Sequence, residues 1–415
     1  MNKVRDGYKM TEIGEIPEEW ECSKLQDYIE IRSGNSPSGF KLKEKGKYPF
    51  FKVDDMNYTN KYMKVAKVYF DECKYELMSK GMVVFPKRGA SIFTNKVAIL
   101  DRSGYFDTNT MGLACSSKLN NEYLFYLLKF IGLEKFADTT AVPQINNKHI
   151  NPLVIPIPTI KEQEKIASIL STVDEQIDNV DALIEKNKEL KKGLMQTLLT
   201  KGIGHTKFKK TEIGEIPEEW ETINLGQLAE IKRGASPRPI SSPKWFSEKK
   251  NVGWIRISDV TKTKKYLNDT EQYLSDEGVA KSRLVKPNDL IMSICATVGK
   301  PIILNMEACI HDGFVVFDNL DKNKILTDYL YYLLQKKEQD FKGMGQTGTQ
   351  ANLNTSIVGS TTITLPSLKE QGKIASILSE VDDKIEEYEN KRQKLEELKK
   401  GLMQQLLTGM IRVEI

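Results

Sequence analysis

Two segments of this chain each occur twice in the sequence. The eleven residues TEIGEIPEEWE at positions 11–21 return unchanged at 211–221, and KEQEKIASILS at 161–171 returns with one change at 369–379. Between these echoes the two halves differ almost everywhere. A repeated frame that holds two unlike inserts predicts one architecture used twice, with each insert recognising a different half of a target. At 415 residues the chain is also too long for one ordinary core, so we expect two domains with connectors.

The echoes divide the chain into six predicted segments in a circular order. These are a frame segment at 1–21, an insert at 22–158, a helical segment at 159–205, a second frame segment at 206–221, a second insert at 222–366 and a second helical segment at 367–415. The second helical segment stops where another frame segment would follow. We therefore expect the N-terminal frame to fill that place, with the two termini near each other.

The helical segments carry a heptad pattern. The apolar positions are Ile166, Leu170, Val173, Ile177, Val180, Ile184, Leu190, Leu194 and Leu198 in the first segment, and Ile374, Leu378, Val381, Ile385, Tyr388, Leu395, Leu402 and Leu406 in the second. The early steps of four and three residues indicate a coiled-coil seam. We predict two helices of about 40 residues, each about 60 Å long, that pack antiparallel and relate the halves by a pseudo-two-fold axis.

Two features of these helices leave alternatives open. Asn187 and Arg392 place polar groups at the seam, where they either fix the register or lie at the edge of the interface. Gly193 and Gly401 occupy the same place in the repeated KKGLMQ sequence, although a glycine inside a helix costs about 1 kcal/mol relative to alanine. Either another surface approaches the helices closely there, or the loss is tolerated.

The charge of the chain is divided unevenly. Residues 22–158 hold 20 Lys and Arg against 13 Asp and Glu, residues 222–366 hold 19 against 15, and the remaining segments hold 22 against 29. Positive charge therefore lies in the two inserts and negative charge in the frame. This division favours a polyanionic partner for the inserts, although an ordinary lysine-rich surface explains it equally well.

Several classes of protein are not indicated by the composition. No apolar run approaches the roughly 20 residues that span a bilayer, and residues 1–21 are charged and show no signal peptide, so we expect no membrane partner. The five cysteines form no CxxC pair, which favours structural thiols in a reduced cytoplasmic compartment over a metal site.

The inserts share a faint skeleton that predicts mixed α/β domains. IRSGNSP at 31–37 parallels IKRGASP at 231–237, and YLFYLL at 123–128 parallels YLYYLL at 329–334, a short helix pattern. Short β-rich runs such as VGWIRI at 252–257 are broken by turns. The expected fold class is α+β, with two mixed α/β domains separated by the two long helices.

At this point the chain resembles a known family. The IPxxW frame, the KEQxKIAxIL helix start, the KKGLMQ helix end and the doubled insert-plus-helix order together resemble the specificity subunit of type I restriction–modification enzymes. The resemblance covers the whole chain. It implies that each insert is a target recognition domain for one half of a bipartite, asymmetric double-stranded DNA sequence, with the helical pair as spacer. It also implies two methyltransferase subunits bound to the frame and helices, and restriction subunits in the full assembly.

Both inserts place side chains suited to DNA contact near turns. Arg or Lys reads guanine and Asn or Gln reads adenine in the major groove, while Gly and Ser let backbone N–H groups approach phosphates. For any single residue, an ordinary solvated loop is the competing explanation. The candidates are Arg32, Gly34, Asn35, Ser36, Lys87, Arg88, Gln144, Asn146 and Asn147 in the first insert, and Arg233, Gly234, Ser236, Arg238, Lys244, Arg256, Lys300, Gln350, Asn352 and Asn354 in the second.

Roles can be expected for three of the four tryptophans. Trp245, in a stretch that the first insert lacks, could stack on a base, but a packed aromatic is favoured. Trp20 and Trp220 follow the two IP dipeptides of the frame, and we expect them to anchor the frame against the helix ends.

Signatures of catalysis are missing from the sequence. There is no Asn/Asp-Pro-Pro-aromatic methyltransferase motif and no phosphate-cradling loop, and His149, His205 and His311 lack metal-ligand spacing. Asp54 and Asp55 are weak metal candidates. We therefore expect no enzyme activity, no cofactor and no metal. The main alternative is a coiled-coil scaffold that binds proteins without reading DNA, and a stand-alone nuclease or methylase would need chemistry that the sequence does not show.

Overall fold

The computed structural model describes residues 4–71, 75–344 and 353–415, which form two compact units. The first unit consists of Met1–Asp181 together with Asn390–Ile415, and the second consists of Ala182–Glu389. The C-terminal residues thus rejoin the N-terminal half, in agreement with the predicted circular order. The finer division into six segments stays a prediction.

The described residues of the first frame segment, the first insert and the long helix that follows form twelve strands and three α-helices. In chain order these are β1 (Tyr8–Thr11), β2 (Gly14–Pro17), β3 (Glu21–Lys24), β4 (Ile29–Ser33), β5 (Tyr48–Phe51), β6 (Tyr62–Met63), β7 (Val68–Phe70), β8 (Val83–Pro86), β9 (Ala98–Leu100), β10 (Tyr105–Phe106), β11 (Thr110–Cys115), α1 (Asn121–Ile131), α2 (Asn147–Ile150), β12 (Val154–Ile157) and α3 (Ile160–Lys201).

The second half repeats this order with additions. Its elements are β13 (Phe208–Thr211), β14 (Gly214–Pro217), β15 (Glu221–Asn224), β16 (Glu230–Arg233), β17 (Phe246–Ser247), β18 (Val252–Ile255), α4 (Ile257–Lys262), β19 (Tyr266–Leu267), β20 (Tyr273–Leu274), α5 (Asp276–Ala280), β21 (Arg283–Val285), β22 (Leu290–Ser293), β23 (Pro301–Leu304), β24 (Ala308–Ile310), β25 (Phe314–Asp318), α6 (Thr327–Lys336), α7 (Glu338–Met344), α8 (Thr355–Gly359), β26 (Thr362–Leu365) and α9 (Leu368–Leu407).

Each insert contains a five-stranded sheet of the same design. The strand order is β4-β11-β8-β9-β6 in the first insert and β16-β25-β22-β23-β19 in the second. The other sheets differ, with three strands in the order β10-β5-β7 and five in the order β17-β20-β18-β24-β21. In both halves the strand after the frame pairs antiparallel with the strand before the long helix, as β3 with β12 and β15 with β26. The predicted α+β class is confirmed.

A short helix lies at the centre of each core. Tyr123 to Leu128 of α1 are all buried, and so are Tyr329 to Leu334 of α6, which confirms the predicted short helices. A helix that is apolar all round needs burial on every side. Each supplies this core together with the first turns of its long helix, where Ile166 packs in the first unit and Ile374 in the second.

Ion pairs show how the long helices run in the first unit. Asp174 of α3 pairs with Lys399 of α9 at 2.5 Å, and Asp181 pairs with Arg392 at 2.6 Å. Seven residues forward along α3 (181 − 174 = 7) correspond to seven residues back along α9 (399 − 392 = 7). The predicted antiparallel packing is therefore confirmed.

The buried face of α3 follows the predicted seam except at one position. Val180 and Ile184 are buried, but Leu190 is 50% exposed, so its assignment to the seam was wrong. Leu190 comes six residues after Ile184, a step that leaves the heptad face, whereas Lys191 comes seven residues later. Lys191 takes that place with its side chain 15% exposed and pairs with Asp382 of α9 at 2.7 Å.

The polar residues near the seam fit the edge alternative. Asn187 donates a hydrogen bond to the carbonyl of Leu183 in its own helix at 2.8 Å. Arg392, besides its bond to Asp181, lies 3.1 Å from Glu396 in its own helix. Asn187 thus bonds within its own helix, whereas Arg392 crosses to Asp181 of α3 with both side chains about 40% exposed, which places this pair at the edge of the seam.

The N-terminal frame and the C-terminal residues meet in the first unit. The fully buried carboxylate of Glu162, at the start of α3, accepts the indole N–H of Trp20 at 3.0 Å and the Nε–H of Arg412 at 2.7 Å. The Tyr8 hydroxyl donates to the carbonyl of Gly409 at 2.8 Å. The expected proximity of these two parts of the chain is confirmed, and Trp20 anchors the frame as predicted.

The second unit repeats this junction with one exchange. Glu370, at the start of α9, accepts the indole N–H of Trp220 at 3.0 Å. Its other oxygen lies 2.9 Å from Nε2 of His205, which stands where Arg412 stands in the first unit. The IPEEW and KEQ sequences therefore recur together because the tryptophan of one binds the glutamate of the other.

The glutamine of the KEQ sequence has an equally specific task. Gln163 is fully buried, donates to the carbonyls of Lys118 and Pro158, and accepts the N–H of Asn120 at the start of α1. Gln371 makes the same three bonds in the second unit. The glutamine thus joins the start of the long helix to the start of the core helix. No helix among the described residues is long and apolar enough to cross a membrane.

Candidate nucleic-acid interface

Three predicted residues of the second insert converge on one aspartate. Asp312 lies in the turn between β24 and β25, beside the loop that follows β16. Its Oδ2 accepts a hydrogen bond from Arg238 at 2.8 Å, and its Oδ1 accepts the Ser236 hydroxyl at 3.0 Å. The Nε–H of Arg233 donates to the Asp312 backbone carbonyl at 2.7 Å. We call Arg233, Ser236, Arg238 and Asp312 the arginine cluster.

The charges of the arginine cluster fix the protonation of its neighbours. Burial alone would raise the pKa of the Asp312 carboxyl, but the Ser236 hydrogen bond and the adjacent cations hold that pKa below its usual value. Burial lowers the pKa of His311, and the charges of Arg256, Arg238 and Arg233 lower it further, against the opposite effect of Asp312. At neutral pH the site therefore presents a carboxylate and an uncharged imidazole among guanidinium groups.

Arg256 stands at the start of α4, next to this cluster. Its backbone N–H donates to Asp259 at 2.8 Å, and its guanidinium donates to Gln272 at 3.1 Å while the residue stays exposed. This cap holds Arg256 at the N-terminal end of α4. The guanidinium donors that are not bonded to Gln272 remain available to a ligand.

In the first insert, the predicted residues meet where β8 ends. Arg88 and Gln144 face each other in an antiparallel bridge. Burial and the nearby charge of Arg88 lower the pKa of Lys87, which the carboxylate of Asp107 partly offsets. Burial in turn raises the pKa of Asp107, whose carboxylate accepts the Thr110 hydroxyl at 2.9 Å.

Lys52 belongs to this site and was missed by the sequence analysis. Its backbone N–H donates to Asp55 at 2.8 Å, as the N–H of Arg256 does to Asp259 in the second insert. The charge of Lys52 also acts on the nearby Asp107. The signal was present, because FKVDD in the first insert parallels IRISD in the second. We call Lys52, Lys87 and Arg88 the lysine cluster.

The two glycines proposed for phosphate approach have a reason inside the fold. A Cβ on Gly34 would lie 1.7 Å from the carbonyl oxygen of Asp107, and one on Gly234 would lie 2.1 Å from that of His311. Only glycine lets these loops lie against the turns that precede β11 and β25. The N–H of Gly234 already donates to the Phe314 carbonyl at 2.9 Å.

Other candidates of the first insert are placed apart or already engaged. Arg32 bonds to Glu76 at 2.9 Å and pairs with Glu30, so its charge is matched within the insert. Asn35 bridges to the turn at Asp107, with its Oδ1 buried and without a hydrogen-bond partner, and the exposed Ser36 bonds to Ser38 at 2.8 Å. At α2, the N–H of Asn146 donates to His149 at 3.1 Å and Asn147 is exposed.

The remaining candidates of the second insert lie away from the arginine cluster or have structural tasks. Lys244 lies over the ring of Trp245, which is buried, as the packed alternative predicted. Lys300 donates to the carbonyl of Thr261 at 3.2 Å, and burial lowers its pKa. The side chain of Asn354 accepts the N–H of Ile357 and caps α8. Gln350 and Asn352 lie outside the described residues, as does Cys73.

The acidic pair considered for metal binding serves the fold. Asp55 is buried and accepts the N–H groups of Lys52 and Lys67. Among the described residues, no group of three or more His, Cys, Asp or Glu is arranged to hold a metal ion.

Comparisons with known proteins agree on one family. Residues 17–191 and 217–397 match the type I restriction modification DNA specificity domain. The type I restriction enzyme MjaX specificity subunit of Methanocaldococcus jannaschii is 32% identical over 99% of this chain and 97% of its own length. The MjaVIII specificity subunit of the same organism is 29% identical over 96% and 94%. The crystal structure of a type I restriction–modification S subunit from M. genitalium shares the fold, with 16% identity, a TM-score of 0.60 and 98% coverage of both chains.

Proposed function

The chain belongs to the type I restriction modification DNA specificity family, and we propose that each insert reads one half of a bipartite, asymmetric DNA target through its cationic cluster. One observation carries this proposal. The same five-stranded sheet carries cationic loops of different chemistry in the two inserts, with Lys87 and Arg88 after β8 in the first and Arg233 and Arg238 after β16 in the second. Different donors presented by the two inserts select different bases, so the target is asymmetric.

The charge distribution supports DNA as the partner of both inserts. Lys and Arg exceed Asp and Glu by seven in residues 22–158 and by four in residues 222–366. Such cations displace counterions from DNA, so affinity falls steeply as salt rises. Of the predicted contacts, we retain Lys87, Arg88 and Gln144 in the first insert and Arg233, Arg238 and Arg256 in the second, and we add Lys52.

We further propose that two methyltransferase subunits dock on equivalent faces of the long helices. Leu190 of α3 and Leu398 of α9, which correspond in the repeat, are each 50% exposed. Gly193 and Gly401 lie one turn further along, and an added Cβ at either would meet nothing within 4 Å. An exposed leucine beside a bare stretch of backbone suits a packed partner helix. No other part of the described chain comes close to either glycine, so a close approach there would have to be made by a partner.

In this proposal the chain is a non-catalytic subunit of the cytoplasm, and its partners carry out the chemistry. Methyl transfer belongs to the methyltransferase subunits, and cleavage belongs to restriction subunits that join the complex. The long helices set the distance between the half-targets. Lengthening each helix by one heptad therefore changes the spacer that the complex accepts, as mapped by methylation of a random library.

A block exchange tests the reading role. Residues 222–366 are replaced by the same block of a relative, and the methylated sequences are mapped with the complete methyltransferase complex. We expect one half-target to change and the other to stay. A change in both halves contradicts independent reading. If Arg88→Ala and Arg256→Ala variants leave the methylation pattern and DNA affinity unchanged, the scaffold alternative is favoured instead.

A further inference from the structure

We propose that Asp312 is a positioning residue that presents Arg238 to one guanine in the half-target of the second insert, an inference that rests on the proposed function. The carboxylate of Asp312 accepts hydrogen bonds from two residues of the loop after β16. Arg238 bonds to Oδ2 at 2.8 Å and Ser236 to Oδ1 at 3.0 Å, while the backbone N–H of Asp312 reaches the Ser236 hydroxyl at 3.3 Å. These three bonds fix the loop against the turn before β25.

The guanidinium of Arg238 bonds to Asp312 through one nitrogen, and the rest of the group is exposed. The side chain of Arg238 is 71% exposed, although it is paired with Asp312. Guanidinium carries five N–H donors, and the bond to Asp312 uses one of them. The free donors form a planar fork of fixed orientation, which is the geometry that reads O6 and N7 of guanine. A tethered fork loses less conformational entropy on binding than a free side chain.

The carboxylate argues for a base and against a phosphate as the ligand of Arg238. A phosphate brought to this guanidinium would come close to the negative charge of Asp312, which repels it. The guanine edge is uncharged and offers two acceptors, so the carboxylate does not repel it. Adenine is disfavoured because its N6 amino group would face the guanidinium donor to donor.

The described part of the first insert has no equivalent arrangement. Ser38 occupies the place of Arg238 in the parallel sequence, and it bonds to Ser36. Asp107 turns its carboxylate toward Thr110 and the N–H of Asn109 at 3.1 Å, inside its own turn. The guanine contact is therefore confined to one half-target.

The test uses the complete chain bound to its methyltransferase subunits and a pool of randomised duplexes. After selection for binding, the wild-type complex yields two blocks of fixed sequence. With Asp312→Ala, we expect one guanine of one block to lose about 5- to 150-fold discrimination, the range for a bidentate pair. The other block stays unchanged. Affinity for random duplex rises slightly because a negative charge is removed, whereas a merely structural defect would lower it.

The matched control is Asp318→Ala at the far end of β25. Asp318 is 37% exposed and paired with Lys232, and Asp312, in the turn before the same strand, is 33% exposed, so the two changes remove similarly exposed carboxylates near opposite ends of β25. We expect the control to keep both blocks. If Asp312→Ala does not fold, Arg238→Ala replaces it, since its exposed side chain can be removed without disturbing a core, and the same guanine must be lost.

The outcomes separate the two proposals. If the wild-type complex selects no pair of blocks, the proposed function fails. If it selects two blocks and the Asp312 and Arg238 variants keep every guanine, only the positioning role of Asp312 is overturned. Loss of the same guanine in the Asp318 control also overturns it, because the effect would then follow from charge alone.

Discussion

The two inserts agree in one sheet and differ in the other. The sheets β4-β11-β8-β9-β6 and β16-β25-β22-β23-β19 match strand for strand, whereas the second sheets have three strands in one insert and five in the other. The loops that follow strands of the matching sheet nevertheless differ in side chains, with Lys87 and Arg88 after β8 and Arg233 and Arg238 after β16. One scaffold therefore presents different side chains in the two inserts, as the proposed reading of two different half-targets requires.

The largest expected effect comes from the two junction carboxylates. Glu162→Ala leaves the indole of Trp20 and the guanidinium of Arg412 without their buried partner, so we expect a loss of about 3 kcal/mol in the free energy of unfolding. Glu370→Ala removes the carboxylate that binds His205, the residue that stands in place of Arg412 in this junction. We expect a smaller loss of about 2 kcal/mol in the free energy of unfolding. Urea unfolding followed by tryptophan fluorescence measures both.

The conservative variant sharpens this result. Glu162→Gln keeps an oxygen that can accept the indole N–H of Trp20 and should retain part of the stability. Equal losses for the two alanine variants would show that the exchange of Arg412 for His205 makes no energetic difference between the junctions.

A second pair of variants should behave alike in the two units. Asp174 accepts the hydroxyl of Tyr126 at 2.7 Å and pairs with Lys399 at 2.5 Å. Asp382 makes the corresponding contacts with Tyr332 and Lys191. We expect either Asp→Ala change to cost about 2 kcal/mol, because each strands a largely buried lysine and a hydroxyl. Thermal or urea unfolding checks it. A difference of more than about 1 kcal/mol between them would break the equivalence of the units.

A third pair tests whether Lys52 and Arg256, which make matching capping bonds, have equivalent roles on DNA. We expect Arg256→Ala and Lys52→Ala each to weaken binding of the cognate duplex by about 1 kcal/mol, roughly fivefold. Each change should affect contacts with one half-target, because the residues cap equivalent helical turns in different inserts. Competition with duplexes altered in one half, measured with the methyltransferase complex at fixed salt, shows which half responds. If both variants affect the same half, Lys52 and Arg256 do not have equivalent roles.

Sequence reasoning succeeded where the signal was local or repeated. The core helices, the antiparallel long helices and the anchoring of Trp20 and Trp220 follow from periodicity and from echoes, which need no knowledge of distant contacts. Leu190 was placed in the seam because it is apolar, whereas the structure gives that place to Lys191, which a carboxylate on the other helix makes tolerable.

The candidate interface was less accessible to sequence reasoning, since its contacts join residues far apart in the chain. Arg238 and Asp312 are separated by 74 positions, and nothing in either local sequence indicates that they pair. Arg32 resembles a DNA contact until Glu76, 44 positions away, is seen to bind it. Lys52 was missed because the match of FKVDD to IRISD is short and weak, and only the shared capping geometry shows that Lys52 corresponds to Arg256.

The smallest expected effect concerns the paired glycines of the long helices. Gly193→Ala and Gly401→Ala add a methyl group in open space, so each should stabilise the isolated chain by about 0.5–1 kcal/mol. If a methyltransferase helix packs there, the same changes weaken its binding, which titration of the chain with that subunit measures. Stabilisation without weaker binding would show that the glycines are tolerated losses. Weaker binding at only one position would show that the two faces, although alike in sequence, are not used alike.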